Sequence, residues 1–149
     1  MPKFIKLCML FVMLVACDTK NDNLSELVIM TSQGPIVYQV ETADTKEKMS
    51  QGLMNRKTLR ADSGMIFDLG GVQEIAMWMK DTYISLDMLF VNKDGRIIWI
   101  YKNAEPQSTR LIKPRVNDLL YAVIEVNAGD VEKKGIKVGD TIRHKILSK

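Results

Sequence analysis

The chain has 149 residues, enough for one hydrophobic core and too few for two. A content of 46% hydrophobic and 26% charged residues excludes a disordered, collagen-like or polytopic membrane chain. The formal charge of +3, from 21 basic and 18 acidic residues, is far from the concentrated positive field of a dedicated nucleic-acid binder, so no nucleic-acid partner is expected.

The chain opens with Lys3 and Lys6 ahead of an apolar run from Leu7 to Val15, the charged and apolar parts of a secretory leader. That run is too short to span a bilayer. It ends Leu14-Val15-Ala16-Cys17, which resembles the lipobox of bacterial lipoproteins. The resemblance implies a signal peptide over 1–16, cleavage before Cys17 and acylation of that cysteine, with several acyl chains anchoring the product stably in a bilayer. Cleavage removes Cys8, and a lipidated Cys17 leaves no thiol for a disulfide, a zinc site or a nucleophile. The polar segment 17–25 then reads as a flexible tether. Asp18 resembles the inner-membrane retention signal of some Gram-negative bacteria.

Residues 26–149 form the expected domain. Glu26 to Thr31 and Ile36 to Glu41 flank the turn cluster Ser32-Gln33-Gly34-Pro35 and predict an antiparallel hairpin. Thr45 to Leu53 predicts a short helix with Thr45 as N-cap and Gly52 near its end. Gly64 to Phe67 predicts a brief strand, with Gly70-Gly71 a turn after it. Leu86 to Val91 and Arg96 to Tyr101 flank Asn92-Lys93-Asp94-Gly95, whose Asp-Gly pair suits a hairpin with a bulge. Lys102 to Asp118 is a long irregular stretch, a length often tied to function. Leu119 to Val126 is another near-continuous apolar run, Asp130 to Lys134 predicts one helical turn, and Thr141 to Leu147 alternates and predicts a closing strand with one wet face. Strands this closely spaced, with short helical insertions, predict a mainly β domain: a single antiparallel sandwich or barrel with one or two short helices.

Four blocks occur in order: Gly52-Leu53-Met54 with Arg56; Gly64-Met65-Ile66-Phe67; Trp78-Met79 followed by Asp81 to Asp87; and Glu125 to Gly129. Together they resemble the bacterial and archaeal family known as domain of unknown function 192, over roughly Leu27 to Ile146. The resemblance implies a small, mainly β domain, often secreted or membrane-tethered, and confers no mechanism. The chain departs from the family pattern with Met77 for Phe, Asp81 for Asn and Ser85 for Pro. Asp81 loses the amide donors and gains a charge, which alters ligand choice if it contacts a ligand and nothing if it only shapes a turn.

Catalytic groups are sparse, and no catalytic residue is assigned. His144, the only histidine, lies between Arg143 and Lys145 and reads as a surface residue. No cofactor fingerprint or metal site is expected. Asp87 and Glu125 could divide acid and base roles if they shared a cleft. Otherwise each is neutralised by backbone donors or a cation, the favoured version being an Arg56 pair with one of them. Met77 and Met79 on one strand face could bind Cu(I), or simply pack the core. An apolar cleft with a few polar groups could be furnished by Arg56, Trp78, Asp81, Thr82, Asp87 and Glu125. The leading expectation is therefore an envelope lipoprotein, facing the periplasm or cell exterior, whose domain is a non-catalytic ligand-binding or interaction module. Its recognition surface would lie near Trp78 to Asp87 and the loop 102–118, and it would take an envelope glycan, peptide or protein. The alternative is an envelope glycan-acting enzyme using Asp87 and Glu125.

Overall fold

In a computed structural model, residues 23–148 are described; the expected leader and the expected lipidation site Cys17 lie outside them. Seven strands form one curled sheet, a half-barrel: β1 (Leu24–Thr31), β2 (Gly34–Ala43), β3 (Ser63–Val72), β4 (Leu86–Val91), β5 (Ile97–Ala104), β6 (Leu120–Asn127) and β7 (Thr141–Arg143). Their lateral order is β5-β4-β6-β3-β2-β1-β7. Two short helices interrupt them, α1 (Lys46–Gln51) and α2 (Asp130–Lys133). The mainly β class with short helices is as expected, but the sheet is not wholly antiparallel. β2 pairs parallel with β3, in register from Gln39 with Ser63 to Ala43 with Phe67. Parallel neighbours need a crossover connection, and the segment from Asp44 to Asp62 carrying α1 supplies it.

Both expected hairpins form. β1 and β2 pair antiparallel around Ser32-Gln33, and β4 and β5 around Asn92 to Gly95, where the Asn92 side chain accepts from the backbone of Asp94 and Arg96. Gly95 has φ +71°, and a Cβ there would meet the carbonyl oxygen of Ile142 at 2.7 Å, so this turn requires glycine. Thr45 caps α1 through its side chain, which accepts from Lys48 N.

Three local expectations change. β1 begins at Leu24, two residues before the expected first strand at Glu26. Gly70-Gly71 is not a terminal turn: both lie within β3 at a register shift between Asp68 and Val72, and pairing resumes at Val72 with Leu120. Positive φ values of 63° and 92° let the two glycines carry this bulge. The final segment is a strand only to Arg143, since His144 caps a turn of 3-10 helix over Lys145–Leu147.

The core has two layers. Leu27, Ile29, Tyr38, Val40, Ile66, Leu89, Ile97, Ile124, Val126 and Ile142 form one cluster. It unites residues from the two lateral extremes of the sheet, which only a curled sheet can do. The extremes are also tied directly: Ile97 N donates to Asp140 O at 2.8 Å and Ile142 N to Gly95 O at 2.6 Å. Met65, Phe67, Met77, Met79, Met88, Phe90 and Val123 belong to a second cluster on the other face. β4 is buried along its whole length, which explains why every residue of it but Asp87 is apolar. The irregular stretch after β5 covers this second layer. Met77 and Ile112 exchange both backbone hydrogen bonds, at 3.0 and 2.8 Å, and Gln107 N donates to Thr82 O at 2.9 Å.

A polar cluster fastens α2. Lys134 Nζ meets Asp62 at 2.5 Å, Asp130 at 3.1 Å and the Tyr38 hydroxyl at 3.0 Å, and that hydroxyl donates to Asp130. The hydrogen bonds to Asp62, Tyr38 and Asp130 raise the Lys134 ammonium above its ordinary value against the burial that would lower it.

Gly64, in the centre of β3, is needed for space. A Cβ there would collide with the carbonyl oxygen of Glu125 across the β3–β6 pair and crowd Val126. Gly64→Ala is expected to lower stability by about 2–3 kcal/mol, the range for overpacking a close-packed site. Urea denaturation of the purified variant checks this; a midpoint equal to that of the parent would contradict the close approach.

Candidate functional site

Alternation along strands decides which side chains can share a site. Glu125 on β6 lies opposite Met65 on β3 and Met88 on β4, so it points to the methionine-rich second layer. Asp87 on β4 lies opposite Val126, one residue further along β6, and therefore points to the other face. The two carboxylates share no cleft, which removes the geometry that the glycan-acting alternative requires.

Each acid has a different fate. Asp87 is completely buried, and its carboxylate accepts from Asn103 N at 2.8 Å and Val131 N at 3.0 Å. The N-cap of α2 is Gly129, which has no side chain to offer, so Asp87 supplies the missing cap from across the fold. Glu125 is 4% exposed, and no hydrogen bond or ion pair to its carboxyl occurs among the described residues. Burial pushes that carboxyl up from 4.5 to about 8, so it is protonated at neutral pH.

Above Glu125 lies a cleft of about 70 Å³ lined by Met49, Met54, Phe67, Met77, Trp78 and Thr82. α1 and the turn after it form one wall, and Gly52, with φ +47°, lets this turn sit against the Phe67 ring, which a Cβ would meet at 3.3 Å. The segment around Met77 forms the other wall, pinned by the Met77–Ile112 bridge. Trp78 stands at the rim, 44% exposed, with Lys80 Nζ 5.5 Å from its ring centroid.

The cleft gathers three of the six expected ligand-binding residues, Trp78, Thr82 and Glu125. Thr82 is buried, and its hydroxyl donates to the Lys80 carbonyl at 3.2 Å. Asp81 does not line the cleft. It occupies a left-handed turn position (φ 53°), and its carbonyl accepts from Asn55 N at 2.7 Å. Its exposed carboxylate reaches only Lys80, at 4.0 Å, so the turn-shaping role fits. Arg56 pairs with neither Asp87 nor Glu125: it donates to Glu41 at 2.8 Å in a neighbouring polar cleft that also includes Asp44, Lys48 and Lys145. Asp87 belongs to the opposite layer. Ser85 donates its hydroxyl to the Ala104 carbonyl at 2.8 Å, a bond that proline could not make.

Two further residues differ from expectation. His144 is buried, with Nε2 2.7 Å from Ser25 Oγ and Nδ1 accepting from Ile146 N at 3.4 Å. These contacts fit a neutral ring with its proton on Nε2, the reverse of what a serine-activating base needs. Burial, helped by Lys145, lowers its pKa. Met77 and Met79 are both core residues, but only Met77 reaches the cleft, in the company of Met49 and Met54. Met49 and Met54 were visible as methionines in the helical segment and the turn after it; their convergence with Glu125 depended on the parallel β2–β3 crossover.

Among the described residues no group of three or more His, Cys, Asp or Glu side chains could hold a metal ion, and no helix is long and apolar enough to cross a membrane. Residues 28–144 match the family model DUF192, described as Uncharacterized ACR. Two crystal structures are similar. One, from Sinorhizobium meliloti, is provisionally described as a transcription regulator: 38% identity, 80% of this chain and 92% of that one covered, TM-score 0.76. The other is a protein of unknown function from Novosphingobium aromaticivorans: 32% identity, 81% and 85% covered, TM-score 0.76. No curated protein matches the sequence.

Proposed function

This chain belongs to the DUF192 family, and from that premise we propose that it is a lipid-anchored protein of the bacterial cell envelope whose β domain binds a small ligand in the Glu125 cleft without transforming it. The observation that carries the binding role is an unpartnered carboxyl, 4% exposed, at the floor of a small cleft. Buried polar groups are normally satisfied, and idle ones facing an opening mark sites. The envelope address is supported by the lysines, the apolar run and the cysteine of Leu14-Val15-Ala16-Cys17. The domain starts within seven residues of Cys17, at Leu24. Asn23 lines the polar cleft that shares Gln51 and Gly52 with the Glu125 cleft, so an anchor at Cys17 would hold this end of the domain toward the bilayer. The Sinorhizobium description would require a nucleic-acid surface, for which a formal charge of +3 gives little support.

The binding role is tested with the full chain labelled at its methionine methyl groups and titrated with small amines, small sugars and soft metal ions. Shifts confined to Met49, Met54 and Met77 support it; a silent cleft in a chain that hydrolyses envelope glycans would overturn it. The anchor is tested separately. Cys17→Ser is expected to abolish labelling by radioactive fatty acid and move the protein from the membrane fraction to the soluble fraction. An unlabelled parent chain recovered from the cytoplasm with residues 1–16 intact would refute the envelope assignment.

A further inference from the structure

The ligand class can be read from the donors. Among the described residues Glu125 is the only carboxylate lining the cleft, and the basic residues nearby are engaged elsewhere: Lys48 with Asp44 at 2.7 Å and Arg56 with Glu41 at 2.8 Å. No basic side chain lines the cleft among the described residues, so a cation entering it would meet no like charge on its walls. A cleft of about 70 Å³ is too small for a sugar or a peptide side chain with its backbone, and suits an ion or a group of a few atoms. Three methionines line it from three separate segments: Met49 on α1, Met54 in the following turn and Met77 in the bridged segment. Thioether sulfur is a poor ligand for magnesium or calcium, which demand several oxygens, and a weak acceptor for an ammonium. It is a good ligand for a soft d10 monovalent cation.

We propose that the cleft is a binding site for a soft monovalent metal cation of the Cu(I) class, held by the thioethers of Met49, Met54 and Met77 and charge-balanced by Glu125. This rests on the cleft being a ligand site and names its occupant. Binding is coordination alone: the metal stays monovalent, and where Glu125 is protonated its proton leaves to solvent as the cation enters. Trp78 at the rim places an indole beside the entrance, where a bound cation would perturb its emission.

The test uses the full chain in detergent carrying Cys8→Ser and Cys17→Ser, so that no thiol competes, titrated with silver nitrate as a redox-stable probe and with Cu(I) under ascorbate. One equivalent of Ag(I) is expected to bind, shifting the methyl resonances of Met49, Met54 and Met77 but not those of Met30 or Met79, and quenching Trp78. Met49→Leu, Met54→Leu, Met77→Leu together should weaken binding at least about 100-fold, and Glu125→Gln alone about 10-fold, in line with losses on removing groups that support a metal site. Leucine conserves volume, so the triple variant should fold, as circular dichroism will report. If it does not, the methyl shifts of the unsubstituted methionines decide the matter. Absence of stoichiometric Ag(I) and Cu(I) binding, or binding that leaves the three methyl resonances unmoved, overturns the proposal. Cleft shifts with methylammonium but not silver would reject the soft cation while sparing the ligand site; no response to any probe rejects both.

Discussion

Glu125→Gln is expected to abolish most of the domain's pH dependence of stability between pH 5 and 8 and to stabilise it at pH 9 by about 2 kcal/mol. The sign follows from the raised pKa. Between the ordinary 4.5 and about 8, the folded chain holds a proton on Glu125 that the unfolded chain has released. This group's contribution to stability is therefore greatest below 4.5 and falls as pH rises, by about 1.4 kcal/mol per pH unit and by roughly 5 kcal/mol in all. Glutamine cannot titrate, so that fall disappears. The net gain is smaller because the amide is also desolvated without a partner, at a cost of about 1–3 kcal/mol. His144, whose pKa is lowered, acts in the opposite direction: its contribution is complete above 6.5 and is lost as pH falls. Subtracting the variant's curve from the parent's removes that background. Urea titrations of the metal-free chain at pH 5, 7 and 9 measure the effect. A parent stability differing by less than about 1 kcal/mol across this range, after correction for His144, would mean that the carboxyl has a partner or reaches bulk water.

Asp87→Ala should cost about 2–4 kcal/mol, because it strips two backbone donors, the buried Val131 N and the part-buried Asn103 N, of their shared acceptor. Asp87→Asn keeps the volume and one good acceptor oxygen but turns an amide donor toward a donor, and should cost about 1–3 kcal/mol. Amide exchange supplies the local readout: protection at Asn103 and Val131 should fall more than protection in β1 and β2. Loss of less than about 1 kcal/mol in the alanine variant, with both amides still protected, would contradict the capping role. Methionine methyl shifts in the Glu125 cleft should be unchanged in Asp87→Asn, since that residue faces the other layer.

Turn chemistry and caps were legible because they are local. Asn92 to Gly95 and Thr45 behave as their residue types dictate. The long apolar runs announced β4 and β6, and their two-sided burial follows from a sheet that carries cores on both faces. The parallel β2–β3 pair was not legible, because α1 has six residues and resembled an insertion between antiparallel strands. The fate of the acids was also hidden. Whether Asp87 and Glu125 share a face depends on the pairing of Asp87 with Val126, a register that no local pattern encodes. Arg56 found Glu41 because the same crossover returns the chain beside β2. His144 looked exposed from its charged neighbours, but it follows directly on β7 with extended backbone, so alternation with the exposed Arg143 turns it inward.

The pairing of β1 with β7 joins Val28 to Arg143, nearly the two ends of the described chain. Until Thr141 to Arg143 have been synthesised, β1 lacks its outer neighbour and the last contacts between the edges of the sheet cannot form. Such long-separated contacts slow folding, because the intervening polymer must be closed into a loop before they return any free energy. A nascent chain thus remains short of its finished form until β7 has emerged, since only then can β1 be closed in on its outer side.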